Sequence, residues 1–450
     1  MLFQAILALC FLSVSLSAQE NSEELPPLPQ GPLLLTSVKA EQLHPDYWIN
    51  QLPDPDRLLK TPEQVKAFNK DIRAMIHDQV NIFELPFKRP GAPVRDQMEL
   101  EYNAVKGRRL FDIDDVDVPK SFFEEKIKPK MQWDRVPEKI KMRWGVAARA
   151  ASIRSLPTDV KMLEKKGDIE FDMLQFTKIK LWTPVAIFHE SSDGNWFYVQ
   201  APYRRGWVRA EDITLFPTRD ELEKYLTQGK FLVVAGDNIP LYGDPALQQM
   251  IQRPSMGAVL PLSGETETAY VIWLPVADEE MGRAYVAKTA DVSLGFLPFT
   301  QRNIIGQAFK LLGSRYGWGG TYDGRDCSGF TQDVFLPLGV DMPRGSKEQA
   351  FVGIQLGHFE YKEDTEGKKA VLESAVPGIT VLRMPSHMMI YLGKMNGQYY
   401  VIHSTWAERY SMTSDAKNRI NQVVVSDLTL NGESYLGPLF DRIISMNEMD

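Results

Sequence analysis

Between about residue 135 and residue 295 the chain is cut by turns into short β-type runs, and this cadence constrains the fold more than any other feature. A first set reads "KMRWGVAARAASIRSLPT", "TPVAIFHES", "NWFYVQAP" and "RGWVRAEDI"; a second reads "KFLVVAGDNIPLYGD", "AVLPLSG", "AYVIWLPVAD" and "RAYVAKTADVSLGFLPFT". Strands this short remove their exposed edges most economically by closing on themselves. Two consecutive small β-barrels are therefore expected, over 131–218 and 219–297, with one larger sandwich as the alternative. Ser192, Asp193 and Gly194, set between alternating runs, signal a hairpin.

The flanks have a different texture. Residues 35–130 read as a helical arm: Thr61 can cap, Pro62 follows, Gln64 stands at the capping-box spacing, and Val65, Phe68, Ile72 and Ile76 form one apolar stripe. Residues 19–34, polar and then proline-rich, read as an extended linker. The apolar run 1–18 ends in small residues before "QENSEE" and has the pattern of a secretory signal cleaved after Ala18, although no Lys or Arg precedes it. It is too short to span a membrane, and Leu9 is too large for Cys10 to be a lipidation site. An exported protein, in the periplasm or at the cell surface, is expected. With 450 residues and 44% apolar content the chain can bury several cores, and its net charge of −8 argues against nucleic acid, which needs clustered Lys and Arg.

Removing residues 1–18 leaves one of the two cysteines, Cys327, in "RYGWGGTYDGRDCSGF". A lone cysteine is usually a small buried apolar residue, but its neighbours here argue otherwise. "QRNIIGQAFKLLG" reads as an amphipathic helix ended by Gly313, and in "CSGFTQDVFLPLG" the residues Phe330, Val334 and Leu338 share one face, so Cys327 occupies the first turn of a second helix. Unpaired N–H groups and the positive dipole end favour a thiolate there, which makes Cys327 a candidate nucleophile.

A nucleophile needs a base, and the six histidines limit the choice. His44, His77 and His189 lie in other segments, and His358 lies outside the hairpin formed by "HMMIYLG" and "YYVIHS", which carries His387 and His403. A regular two-residue Asn396–Gly397 turn would set His387 opposite position 406 and turn the two imidazoles to opposite faces. A three-residue loop, Met395 to Gly397 with Gly397 in the left-handed bulge position, sets His387 opposite position 405 and puts both histidines on one face. A site built on both histidines is expected to use the bulged loop.

The order "YGWGG", "DCSGF", "SHMMIYLG", "VIHS" resembles the NlpC/p60 family of cysteine peptidases, permissive relatives of the papain fold that cut bacterial cell-wall peptides, over about residues 300–445. The resemblance implies an α+β papain-like catalytic domain over 298–450, with Cys327 as nucleophile, His387 as base and His403 as the residue that orients it. It also implies that Tyr316, Trp318, Asp326 and Ser328 line the site or hold the substrate's amino end, and, through "MPRGSKEQ", that Arg344 and Ser346 form its rim. "PGI" at 377–379 and Gly345 depart from the family pattern. The upstream half resembles a subgroup with a helical arm and two bacterial SH3-like barrels, whose first barrel packs against the cleft and helps to bind a free N-terminal L-Ala; Asp172, Gln175 and Tyr203 are the candidates for that contact.

The implied activity is cleavage of the γ-D-glutamyl to diamino acid bond of peptidoglycan stem peptides by a monomer that needs no cofactor and no metal. Three zinc ligands are the competing chemistry for Cys, His and His, but Asp326 and Gly329 suit a nucleophile loop and no second cysteine is nearby. "GSRYGWGG" lacks the Gly-Lys-Ser/Thr ending of a phosphate loop. The non-enzymatic alternative is a wall-binding protein with a dead cleft.

Overall fold

Each set of β-runs becomes one seven-stranded antiparallel sheet in the computed structural model, which describes residues 31–276 and 281–449. The first unit contains Arg143–Ala147, Ala151–Arg154, Gln175–Ile179, Pro184–Glu190, Trp196–Ala201, Arg204–Arg209 and Ile213–Phe216. The second contains Phe231–Val234, Leu241–Tyr242, Met250–Gln252, Val259–Glu265, Ala269–Leu274, Gly282–Ala287 and Val292–Leu294. Both sheets run in the same spatial order, third, second, sixth, fifth, fourth, first, seventh. The turn expected at Ser192 to Gly194 joins the fourth and fifth strands of the first unit, with Gly194 at φ 73°.

The final segment forms a six-stranded antiparallel sheet, in the order Ile354–His358, Ser445–Glu448, Thr380–Met384, His387–Met395, Gln398–Arg409 and Lys417–Asp427. Helices Gln301–Lys310 and Cys327–Phe335 pack on it through Ile304, Ile305, Ala308, Phe330 and Val334, all fully buried with the sheet residues Ile390, Ile402 and Val424 in one core. Phe330, Val334 and Leu338 share that core, as their spacing requires.

The segment 35–130 differs from the single arm expected. Its first part, with helices Pro45–Ile49 and Pro62–Met75, shares the core of the C-terminal domain through Trp48, Ile49, Val65 and Ile72. The Thr61 and Gln64 capping box forms, and Arg73 pairs with Asp341 at 2.6 Å. Its second part, including helix Ala92–Lys106, packs on the β-units through Val94, Met98, Tyr102 and Phe123, and Lys88–Pro90 pairs with Lys139–Lys141. Two apolar stripes facing different neighbours divide the arm between two cores. The expected extended linker over 19–34 is seated at its end: the Leu33 N–H donates to Gln422 Oε1 at 3.0 Å, so the chain there lies on the C-terminal domain. Residues 1–18, and the rest of the tether up to residue 30, lie outside the described residues. Among the described residues no helix is long and apolar enough to cross a membrane.

The histidine hairpin reaches the expected facing by another route. Its turn is the two-residue Asn396–Gly397, with Met395 opposite Gln398 and φ values of 50° and 82° at the turn residues. The register slips inside the strand, between Tyr391 and Gly393, after which Ile390 stands opposite Ile402 and Met389 falls opposite His403. Gly393, at φ 129°, supplies the backbone conformation that this bulge needs. A side chain at that φ costs on the order of 1–3 kcal/mol. Gly393→Ala is therefore expected to lower the thermal unfolding midpoint, whereas Gly306→Ala, in a helix with open space around the new methyl, leaves it unchanged or raises it.

Candidate active site

Cys327 opens the helix Cys327–Phe335, and Asp326 caps it by accepting the Gly329 N–H at 2.8 Å. The thiol is 7% exposed, and its Sγ lies 3.8 Å from the Ser386 carbonyl oxygen, next to His387 in sequence. His387 Nε2 and His403 Nδ1 are 2.7 Å apart, and His403 Nε2 lies 3.0 Å from Ser426 Oγ. A chain of three polar side chains thus runs from the strand beside Cys327 into the fully buried interior at His403 and Ser426. The ring nitrogens bonded to each other do not leave their lone pairs to a shared zinc ion.

Asp326 also accepts the Gly319 N–H at 2.9 Å and forms a bidentate ion pair with Arg344, at 3.0 and 2.6 Å. Burial alone would raise its carboxyl, but Arg344 and the two backbone N–H groups hold it below the ordinary carboxylate value. Arg344 bonds Ser328 Oγ as well, at 3.0 Å, and its Nε donates to Thr177 of the first β-unit at 2.8 Å. On the same wall Gln175 Nε2 donates to the Gly319 carbonyl at 3.0 Å. A Cβ on Gly319, which sits at φ 60°, would come within 2.7 Å of Gln175 Cγ, so the glycine loop touches the β-unit with no space between.

Two cavities flank Cys327. One, of about 300 Å³, is bounded by Gln175, Phe176, Tyr203 and Arg204 of the first β-unit and by Ser328, Arg344, Ser346 and Glu348 of the C-terminal domain. The other, of about 320 Å³, lies on the His387 side and is lined by Phe171, Trp406, Arg409 and Arg442. Tyr316 and Trp318 border both, and Phe171 enters their cluster with ring centroids 6.1 and 5.7 Å away.

Of the substrate-binding residues named from the sequence, Asp172 alone does not line the cleft. It is buried, pairs with Arg154 at 2.8 Å, and accepts the N–H groups of Met162 and Leu174, which makes it the brace of its own loop. His358 ends the far edge strand, away from the site. Thr177, Ser426, Phe171 and Arg442 were not anticipated. Only the parity of Ser426 in the strand next to His403 could have pointed to one of them.

Burial works against the expected thiolate. Desolvation, helped by the Asp326 charge, pushes the Cys327 thiol up to about 12 despite favourable backbone N–H groups. Burial, and then the Arg442 charge, push His387 down to about 3, and burial lowers His403 well below its ordinary value. A dipole end equivalent to about half a charge does not offset removal from water. Burial thus opposes charge on both the thiol and the imidazole. Alkylation of Cys327 by iodoacetamide in the free protein should rise continuously with pH up to 9, followed by mass spectrometry. A plateau starting below pH 7 would mean that a thiolate–imidazolium pair already exists.

The geometry is that of a cysteine–histidine cleft on an α+β domain. Residues 313–428 match the NlpC/P60 family, and residues 161–209 match the SH3 domain family of the SH3b1 type, so the chain carries an NlpC/P60 domain preceded by an SH3 domain. Over 266 residues, 56% of this chain and 67% of its relative, it is 25% identical to a gamma-D-glutamyl-L-lysine dipeptidyl-peptidase of Bacillus cereus (strain ATCC 10987 / NRS 248). An NlpC/P60 endopeptidase from Photobacterium damselae subsp. piscicida superposes with a TM-score of 0.73 at 16% identity, covering 93% of this chain and 99% of that one, so the fold is shared along nearly its whole length. An NlpC/P60 family protein from Bacillus cereus ATCC 10987 gives a TM-score of 0.49 at 17% identity, over 68% of this chain and 99% of that one.

Proposed function

We propose that the protein is a cysteine endopeptidase that cleaves the bond between γ-D-glutamyl and the diamino acid of peptidoglycan stem peptides, with preference for stems that have a free N-terminal L-Ala. The observation that carries this reading is the His387, His403, Ser426 chain beside Cys327 in a cleft whose one end is closed by the first β-unit. The Bacillus relative, a gamma-D-glutamyl-L-lysine dipeptidyl-peptidase, supports the choice of bond.

In this reading His387 Nε2–H donates to His403 Nδ1, and His403 Nε2–H donates to Ser426 Oγ, which leaves His387 Nδ1 as the free lone pair toward the thiol. The base takes the Cys327 proton as sulfur attacks the γ-carbonyl, and His403 stabilises the imidazolium that forms. The Cys327 N–H, in the first turn of its helix, faces the developing oxyanion. His387 then protonates the leaving amine, and water hydrolyses the thioester. Asp326 is answered by Arg344, so it orients the glycine loop and Ser328, while Asp78 and Glu348 are the carboxylates on the closed side that suit an N-terminal ammonium. Tyr203 and Gln175 close that end, and an attached glycan would meet them.

The second β-unit is read as another SH3-like module because it repeats the strand order of the first. Export follows from the pattern of residues 1–18 and from the place of such a substrate. The test offers purified protein free L-Ala-γ-D-Glu-diamino acid peptides and the same stems linked to MurNAc, with products read by mass spectrometry. Free peptides should be cleaved at least tenfold faster, and Cys327→Ala should cleave neither while keeping the wild-type unfolding midpoint. Comparable rates on both substrates would remove the closed-end reading, and an active Cys327→Ala variant would remove the cysteine mechanism.

A further inference from the structure

The cavity on the His387 side has a charge pattern that the proposed reaction does not itself require. If the acyl half of the substrate lies toward the first β-unit, the leaving diamino acid lies here, where His387 can protonate its amine. Among the described residues no Asp or Glu lines this cavity, whereas Arg409 and Arg442 both do. Arg409 is answered by Asp415 at 2.6 Å. Arg442, at the end of the short helix Leu439–Arg442, has no ion pair to a carboxylate among the described residues, and its Nε is buried without a hydrogen-bond partner. Its guanidinium meets the Tyr361 hydroxyl and lies close enough to Arg409 and His387 for their charges to interact.

A half-buried guanidinium facing a second cation is costly until an anion arrives, and a carboxylate can take two of its N–H groups at once. A lysine-type leaving residue would instead bring a second ammonium into a cavity with no acid to receive it. Resting on the bond and orientation proposed above, we infer that Arg442 is a specificity-determining residue that binds the side-chain carboxylate of the leaving residue, so that the substrate is a stem carrying a diamino dicarboxylic acid of the diaminopimelate type rather than lysine. Phe171 and Trp406 supply the apolar walls for the carbon chain between its two ends.

The test uses the full chain and two free peptides, L-Ala-γ-D-Glu-meso-diaminopimelyl-D-Ala and L-Ala-γ-D-Glu-L-Lys-D-Ala, in which the α-carboxyl of the diamino acid is in a peptide bond. Wild type should favour the first by at least tenfold in kcat/KM, and Arg442→Gln should bring the ratio to within about twofold, with Arg442→Lys in between. In the Cys327→Ala background, calorimetry should find tighter binding of the diaminopimelyl peptide, and Arg442→Gln should remove that difference. Equal rates on the two peptides by wild type would overturn the inference while leaving the bond assignment intact. A loss shared equally by both peptides in Arg442→Gln would do the same, by giving Arg442 a partner common to both. Cleavage of neither peptide by wild type would instead overturn the bond assignment and the inference with it.

Discussion

One buried aspartate, Asp333, holds the three parts of the molecule around Cys327. It lies on the helix that Cys327 opens, and it receives Lys180 of the first β-unit at 2.8 Å and Arg325 of the C-terminal domain at 2.7 Å. Arg325 reaches on to Asp237 of the second unit at 2.6 Å, and Lys180 also bonds Ser255 there. Ion pairs at 5–14% side-chain exposure carry a desolvation cost close to their attraction, so their value lies in register more than in stability. Loss of one partner would leave an unanswered buried charge, and that penalty allows only one seating of the β-units against the helix. Arg315 and Glu170, both nearly inaccessible and 2.7 Å apart, repeat the arrangement beside the glycine loop.

This seating makes the cleft what it is. Because the first β-unit touches the glycine loop at Gly319 and bonds Arg344 through Thr177, Cys327 ends up in a buried recess instead of an open groove. Burial raises the thiol and lowers both histidines, so in the proposed reaction the charged pair forms as substrate is attacked. The same recess leaves unlike walls on the two sides of Cys327, with carboxylates Asp78 and Glu348 beside Arg204 and the paired Arg344 toward the β-unit, and the guanidinium groups of Arg409 and Arg442 with no carboxylate among the described lining residues toward the histidines. A peptide with an ammonium at one end and a carboxylate at the other has one favourable direction in such a field.

Much of this was readable in the residues, and the failures have physical causes. The Thr61 capping box, the hairpin at Ser192 to Gly194 and Cys327 in a first turn are local signals, and local geometry carries them. The facing of His387 and His403 was deduced from parity, but the extra residue was placed in the Asn396–Gly397 loop when Gly393 within the strand held it. A glycine inside a β-run is itself a bulge signal, so this was a misreading and not an absence of signal. Thr177, Ser426 and Arg442 reach the site only through contacts between distant segments, which no local pattern records. Asp172 misled because an acid in a polar stretch resembles surface, whereas here it satisfies two loop N–H groups and Arg154. The preference of a helix start for thiolate failed for a related reason, since burial of the first turn depends on domains elsewhere in the chain.

The most direct test of the central claim is to trap the covalent intermediate. An acid quench during turnover of an equimolar mixture of free and MurNAc-linked stem peptides, followed by proteolysis and mass spectrometry, reads both the site and the size of the acyl group. A thioester of L-Ala-γ-D-Glu on the fragment containing Cys327, without the corresponding MurNAc adduct, is the predicted result. An adduct on another residue, a MurNAc-dipeptide adduct of equal abundance, or steady product formation with no adduct at any quench time would contradict it.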